Sequence, residues 1–244
     1  YPGFPGGIGV DKLIALFHAH ARAAGARFVS EKAATVERPT TGAGFLMTSD
    51  AGVRRRADRV IAASAYDPDY LEGLPVAEWA ALEAWRASDR SGWTRGRTPV
   101  DRLYVAGLLS GCESHAVICA GQAADTALGI LEERFLAEDY WPQVARYVDW
   151  IAHHNRYASP SFDARADAHY RRTLPSDRRL PPERVQAIID AKKQQALGSQ
   201  MPADEVRRRQ KQGQRRLLEL IDDDVIDAYL ADRAARLTAR VREP

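Results

Sequence analysis

The sequence predicts an α/β layer followed by an all-helical C-terminal extension, on three observations. Short β-type runs alternate with helical patterns up to about residue 138. The runs "ADRVIAASA" and "VDRLYVAGLL" have apolar residues leading into small ones, as in buried strands that deliver backbone to a ligand at their carboxyl ends. From 139 to 244 only helical periodicity remains. Residues 1–138 are therefore expected to form the α/β domain and residues 139–244 the helical extension.

Each element has its own signal. "YPGFPGGIG" is a Pro/Gly turn with no strand before it, and it runs into a helix expected from about Val10 to Ala24. Leu13, Leu16, Phe17 and Ala24 follow the helical period there, and Gly25 closes it. "RFVSEKAATVERP", "GFLMTSD" and "VRRRADRVIAASA" are strand-like runs separated by "TTGAG" and "DAG", turn chemistry suited to neighbouring strands. "DPDYLEGLP" reads as a loop, and "VAEWAALEAWRA" as a short helix with Trp79 and Trp85 near one face. After a second loop, "SGWTRGRTP", comes the strand in "VDRLYVAGLL" and a long helix in "SHAVICAGQAADTALGILEERFL". Ala116, Ala120, Ala123, Ala124 and Ala127 line one side of that helix around Gly121, so a backbone or a cofactor has room to approach closely. The tail holds the helical patterns "YWPQVARYVDWIAHHNRY", "PPERVQAIIDAKKQQAL" and "ADEVRRRQKQGQRRLLELIDDDVIDAYLADRAARL", with Asp222–Asp224 as a helix break or N-cap cluster.

Composition narrows the function. With 45% hydrophobic and 28% charged residues the 244-residue chain is an ordinary globular protein. A net charge of +2 argues against an overall commitment to nucleic acid. The charge is uneven: residues 151–244 hold 19 Lys and Arg against 14 Asp and Glu, net +5, leaving net −3 for residues 1–150. No apolar run approaches the roughly 20 residues that span a bilayer, so no membrane is expected among the partners. Two cysteines exclude a disulfide framework and point to a reducing cytoplasm. Cys112 and Cys119 are seven apart, about 10 Å along a single helix, too far for a bond unless Cys112 sits in the preceding turn. They are expected to be inert small residues.

Three separated segments carry a resemblance: "YPGFPGGIGVDKLIALFHAHARAAGARFV", the strand "ADRVIAAS", and "LYVAGLLSGCESHAVICAGQAADTAL". Over roughly residues 1–136 the chain resembles the thioredoxin-reductase-like flavoproteins of the FAD/NAD(P)-binding pyridine nucleotide–disulfide oxidoreductase superfamily. The resemblance implies a partial FAD/NAD(P)-binding, Rossmann-like domain and FAD as cofactor. In that family a Pro-Gly-Phe-Pro turn follows the first βαβ unit, a Val-Ile-x-Ala-Thr-Gly strand ends the first half, and an Ala-Gly-Asp strand precedes an Ala/Gly-rich helix.

The departures shape what the resemblance implies. No G-x-G-x-x-G occurs; the family places it upstream of the Pro-Gly turn, which implies an N-terminally incomplete domain lacking its pyrophosphate cradle. The span from Tyr66 to Pro99 is too short for the inserted nicotinamide domain, which needs on the order of 100 residues. There is no Cys-x-x-Cys, and Leu108 stands where the family has the Asp that meets the flavin ribityl chain.

By the same resemblance Lys32 and Ala33 would flank the adenine, Phe4 and Pro5 would border the ring pocket, and Ala63, Ser64 and Ala65 would replace Ala-Thr-Gly beside the cofactor. Gly107 would approach it closely, and Ser114-His115-Ala116 would open a helix whose free N–H groups face the flavin ring. His115 is the candidate catalytic residue, as flavin contact or proton donor; a histidine capping or packing at a helix start is the alternative.

Other constellations carry less. His18 and His20 point to different sides of a helix, and His153, His154 and His169 have no partners at ligand spacing, so no metal is expected. Arg207, Arg208, Arg209, Lys211, Arg215 and Arg216 form a basic run that reads as a solvated face, with a phosphate-rich partner as the alternative. The function expected is an FAD-dependent oxidoreductase without its own NAD(P)H domain or dithiol, exchanging electrons with a small-molecule or protein partner. A homodimer is compatible with it. The alternative is a non-catalytic, flavoprotein-derived scaffold that binds a protein or nucleic-acid partner through the basic tail.

Overall fold

The structure, a computed structural model, describes residues 7–88, 95–146, 160–198 and 202–242. Phe4, Pro5, His153 and His154 lie outside the described residues, as does 147–159 of the expected helical tail. The chain is mixed α/β, with two small sheets and a helical C-terminal region. It divides into two compact units, Tyr1–Val148 with Asp167–Ile189, and Asp149–Ala166 with Asp190–Pro244.

The first unit opens with helix α1 (Val10–Ala23), close to the expected span. None of its residues is buried, so its apolar period meets no core. Strands β1 (Ala33–Glu37), β2 (Phe45–Ser49) and β3 (Arg54–Ala57) form an antiparallel meander. Thr35 pairs with Thr48 and Phe45 with Ala57, and the register slips between Ala33 and Thr35. Val36 and Phe45 are buried, while three successive arginines keep the edge strand β3 polar.

The expected single run "VRRRADRVIAASA" is two strands. After Ala57 the chain leaves the meander and starts β4 (Val60–Ala62), which pairs in parallel with β5 (Leu103–Val105). The crossover between them carries a 3-10 turn at Asp69–Leu71 and helix α2 (Val76–Ala87). Leu71, Leu74 and Leu82 pack with Val36, Phe45, Ala62, Leu103 and Val105 into one core, against which Trp79 and Trp85 are half-buried. Arg38 joins the parts: its guanidinium pairs with Glu78 of α2 at 2.9 Å, donates to the carbonyls of Gly44 and Asp101, and lies 4.2 Å from the centroid of the Phe45 ring.

Helix α3 (Ala116–Ala137) follows β5. Residues 95–97 lie against both. The Gly96 carbonyl accepts the Val105 N–H, and Arg95 and Arg97 pair with Glu132 and Glu133 of α3. Thr126 and Gln122 of α3 are buried in a polar network: Gln122 Oε1 accepts the Gly107 N–H at 2.7 Å, and Gln122 Nε2 donates to Thr126 Oγ1 at 3.0 Å. In contrast, Ala116, Ala120, Gly121, Ala123, Ala124 and Ala127 are exposed, so the small-residue face is open within the described residues.

Of the two placements the sequence leaves open for Cys112, the structure takes the turn. Cys112 lies in the turn before α3, not on the helix, and its Sγ is 3.5 Å from that of Cys119. The turn makes this approach, because Gly111 has φ of 86°, a left-handed conformation that glycine adopts without steric cost.

Helix α4 (Pro142–Ala145) follows, with Trp141 and Val144 fully buried. Helix α5 (Pro160–Arg172) and helix α6 (Pro182–Gly198) contribute Tyr170, Val185, Ile188 and Ile189 as buried residues, and the Trp141 indole donates to Thr173 Oγ1. Helix α7 (Ala203–Leu218), with no buried residue, and helix α8 (Asp223–Arg242) complete the second unit. They break at Asp222, as the three aspartates suggest. No described helix is long and apolar enough to cross a membrane.

Candidate functional site

A cleft of about 950 Å³ opens beside β1–β3 and the carboxyl end of β4. Val36, Met47, Val60, Ile61 and Ala62 give it an apolar floor. One rim carries Lys32, Asp50, Arg55 and Arg56; the other is the chain leaving β4, from Ser64 to Asp67, continuing to Asp69 and Tyr70.

Hydrogen bonds fix the first rim. The Asp50 N–H donates to the Lys32 carbonyl, and Asp50 Oδ1 accepts the Lys32 N–H. Arg55 holds Glu31 through two bonds of 2.7 and 2.8 Å. With Ser49 also donating, the Glu31 carboxyl falls to about 2. Arg56 donates to the Thr41 carbonyl.

The second rim is built by a local turn. Asp67 Oδ1 accepts the Asp69 N–H at 2.9 Å, and the Ser64 hydroxyl donates to the Asp67 carbonyl. The Tyr70 hydroxyl lies 3.1 Å from Ser64 Oγ, and burial raises its pKa above that of an ordinary phenol. The carboxyls of Asp67 and Asp69 share a hydrogen bond, which lowers the pKa of Asp67 and raises that of Asp69.

Of the sequence-predicted site residues, Lys32, Ala33, Ser64 and Ala65 all line this cleft. Ala63 is exposed beside them in the chain, outside the lining. Gly107, His115 and Ala116 lie at the end of β5 and the start of α3, not in the cleft. Gly107 has φ of 64° and its N–H is held by Gln122. His115 is the exposed N-cap of α3; its side chain makes no capping bond, and its carbonyl accepts the Cys119 N–H. Asp67, Asp69 and Tyr70 escaped the sequence reading, although the Asp-x-Asp spacing in "DPDY" is a turn signal that sets two carboxyls side by side.

An apolar floor under a rim of hydroxyls, carboxyls and cations suits a flat, partly apolar ligand with hydroxyl groups, and the volume falls in the range of small-molecule sites. Among the described residues no group of His, Cys, Asp and Glu is arranged to hold a metal ion. Compared with protein-family models and with curated proteins, the chain finds no match.

Proposed function

We propose that this chain belongs to a thioredoxin-reductase-like, FAD-dependent oxidoreductase of the cytoplasm, with a Rossmann-like flavin domain. The observation that supports this best is the parallel pair β4–β5. Its two carboxyl ends lead directly into Ala63–Ala65 and Ala106–Gly107, and the Ala106 N–H continues the ladder to the Ala62 carbonyl at 2.9 Å. Ligands of open α/β sheets bind outside such carboxyl ends.

The residues present fit one end of the cofactor. The cleft floor suits the adenine, with Lys32 and Ala33 beside it, while Ser64 and the Asp67–Asp69 pair offer partners for ribose hydroxyls. Gly107, His115 and Ala116 are assigned to the flavin ring by resemblance alone. FAD, when bound, supplies reversible two-electron chemistry at its ring. No glycine turn opening a helix lines the cleft, so the pyrophosphate has no cradle among these residues.

Charge-assisted hydrogen bonds of that kind contribute roughly 1.5–3 kcal/mol each. Losing several weakens binding by orders of magnitude, since about 1.4 kcal/mol is tenfold. The 244-residue chain and a form extended upstream should be purified side by side with FAD. A yellow extended form and a colourless shorter chain are expected, with no rapid bleaching of the flavin by NADH or NADPH. A colourless extended form overturns the flavoprotein reading; a tightly yellow short chain overturns the account of the missing cradle.

A further inference from the structure

We propose that Cys112 and Cys119 form a reversible disulfide, making the turn before α3 a thiol–disulfide exchange site for small-molecule disulfides. The Sγ atoms stand 3.5 Å apart, and both residues are partly exposed. A disulfide needs a separation of about 2.05 Å, so roughly 1.5 Å must be closed. One partner lies in a turn able to take up that movement. Gly111 is left-handed and its N–H is anchored on the Leu108 carbonyl, while the His115 N–H closes back on the Glu113 carbonyl. Cys119, by contrast, is fixed in the first turn of α3, with its N–H on the His115 carbonyl. A thiol carried by a turn beside one held in a helix, both partly exposed, leaves either sulfur open to an incoming disulfide. In the reduced state burial and the neighbouring Cys119 sulfur raise the pKa of the Cys112 thiol.

The chemistry balances with a small disulfide as oxidant. One cysteine thiolate attacks RSSR, forming a mixed disulfide and expelling RS⁻. The second thiol gives its proton to solvent, attacks the first cysteine sulfur and expels the second RS⁻. Two S–H bonds become one S–S bond, and RSSR is reduced to two thiols. Nothing in this depends on the flavin reading.

The test equilibrates the chain in glutathione buffers, traps free thiols with a maleimide and measures intact mass and cross-linked peptides. The expected product has lost two hydrogens, carries an intrachain Cys112–Cys119 link and is restored by reduced glutathione. Cys112→Ser and Cys119→Ser should each stop at a stable glutathione adduct. Folded chain should close the bond with an effective concentration on the order of tenfold or more above that in urea, because the turn presets the approach. Two separate adducts on the wild type, a bond between chains, or equal closure in urea overturns the proposal.

Discussion

Gly96→Ala should be among the most damaging single-methyl changes in the first unit. Gly96 has φ of 68°, where an L-residue pays about 1–2 kcal/mol. A Cβ placed there would lie 2.3 Å from Thr126 Oγ1 and 2.4 Å from the Val105 carbonyl oxygen. Such distances force movement, and overpacking of this kind costs a further ~1–3 kcal/mol. Relief must push residues 95–97 away from β5 and α3, which also stretches the 2.8 Å bond from the Val105 N–H to the Gly96 carbonyl. The total is about 2–5 kcal/mol, a large share of the ~5–15 kcal/mol typical of a native domain. Gly121→Ala is the matched control: it lies inside α3, and a Cβ there meets nothing within 4 Å. Its higher helix propensity should stabilise the chain by about 0.5–1 kcal/mol. Urea unfolding followed by tryptophan fluorescence, with equal slopes, reads both. If Gly96→Ala falls within about 0.5 kcal/mol of wild type, the close packing of residues 95–97 between β5 and α3 is wrong.

Gln122→Leu removes the acceptor of the Gly107 N–H and a donor to Thr126, and should cost about 1–3 kcal/mol in thermal unfolding; an unchanged melting temperature refutes the network. Glu31 titrates near 2 instead of the ordinary 4.5, so its contribution to stability is complete above about 4.5 and disappears as pH falls through 2. Arg55→Gln should return that titration toward the ordinary value in carbon-detected NMR; no movement of the Glu31 curve refutes the pairing. Burial lowers Lys192 from 10.5 to about 8. Below pH 8 both folded and unfolded chains carry its proton and the burial penalty is full; from 8 to 10.5 only the unfolded chain keeps it, so stability rises with pH, by on the order of 1 kcal/mol once water access is discounted. Lys192→Met should flatten that rise in melting temperature, and parallel curves for the two proteins count against it.

The helices and most strands were legible because they are local. Periodicity and the closing Gly25 place α1 within a residue of its observed end. The division of "VRRRADRVIAASA" was not legible, since it depends on β4 finding β5 some forty residues later, and no local signal marks that partner. The site was legible only along the chain. Lys32, Ala33, Ser64 and Ala65 were singled out and do share a cleft, but Asp67, Asp69 and Tyr70 were read as loop, where pattern says nothing of side-chain direction. The cysteine spacing was ambiguous for a related reason. Counting seven residues along a helix gives a distance only if the helix includes both, and the left-handed Gly111 takes Cys112 off it.

The Arg38 junction has a consequence for how the first unit opens. Meander, crossover helix and the loop before β5 all converge on one planar guanidinium, through Gly44, Glu78 and Asp101, with the Phe45 ring beneath it. Separating the meander from α2 breaks the Glu78 ion pair, and separating it from the loop before β5 breaks the bond to the Asp101 carbonyl. Amides of β2 and of β4–β5 should therefore exchange their hydrogens through one shared opening, and in Arg38→Met through two openings of unequal free energy. The arginine thus adds a polar tie to the core that two small sheets, each too slight to persist alone, already share.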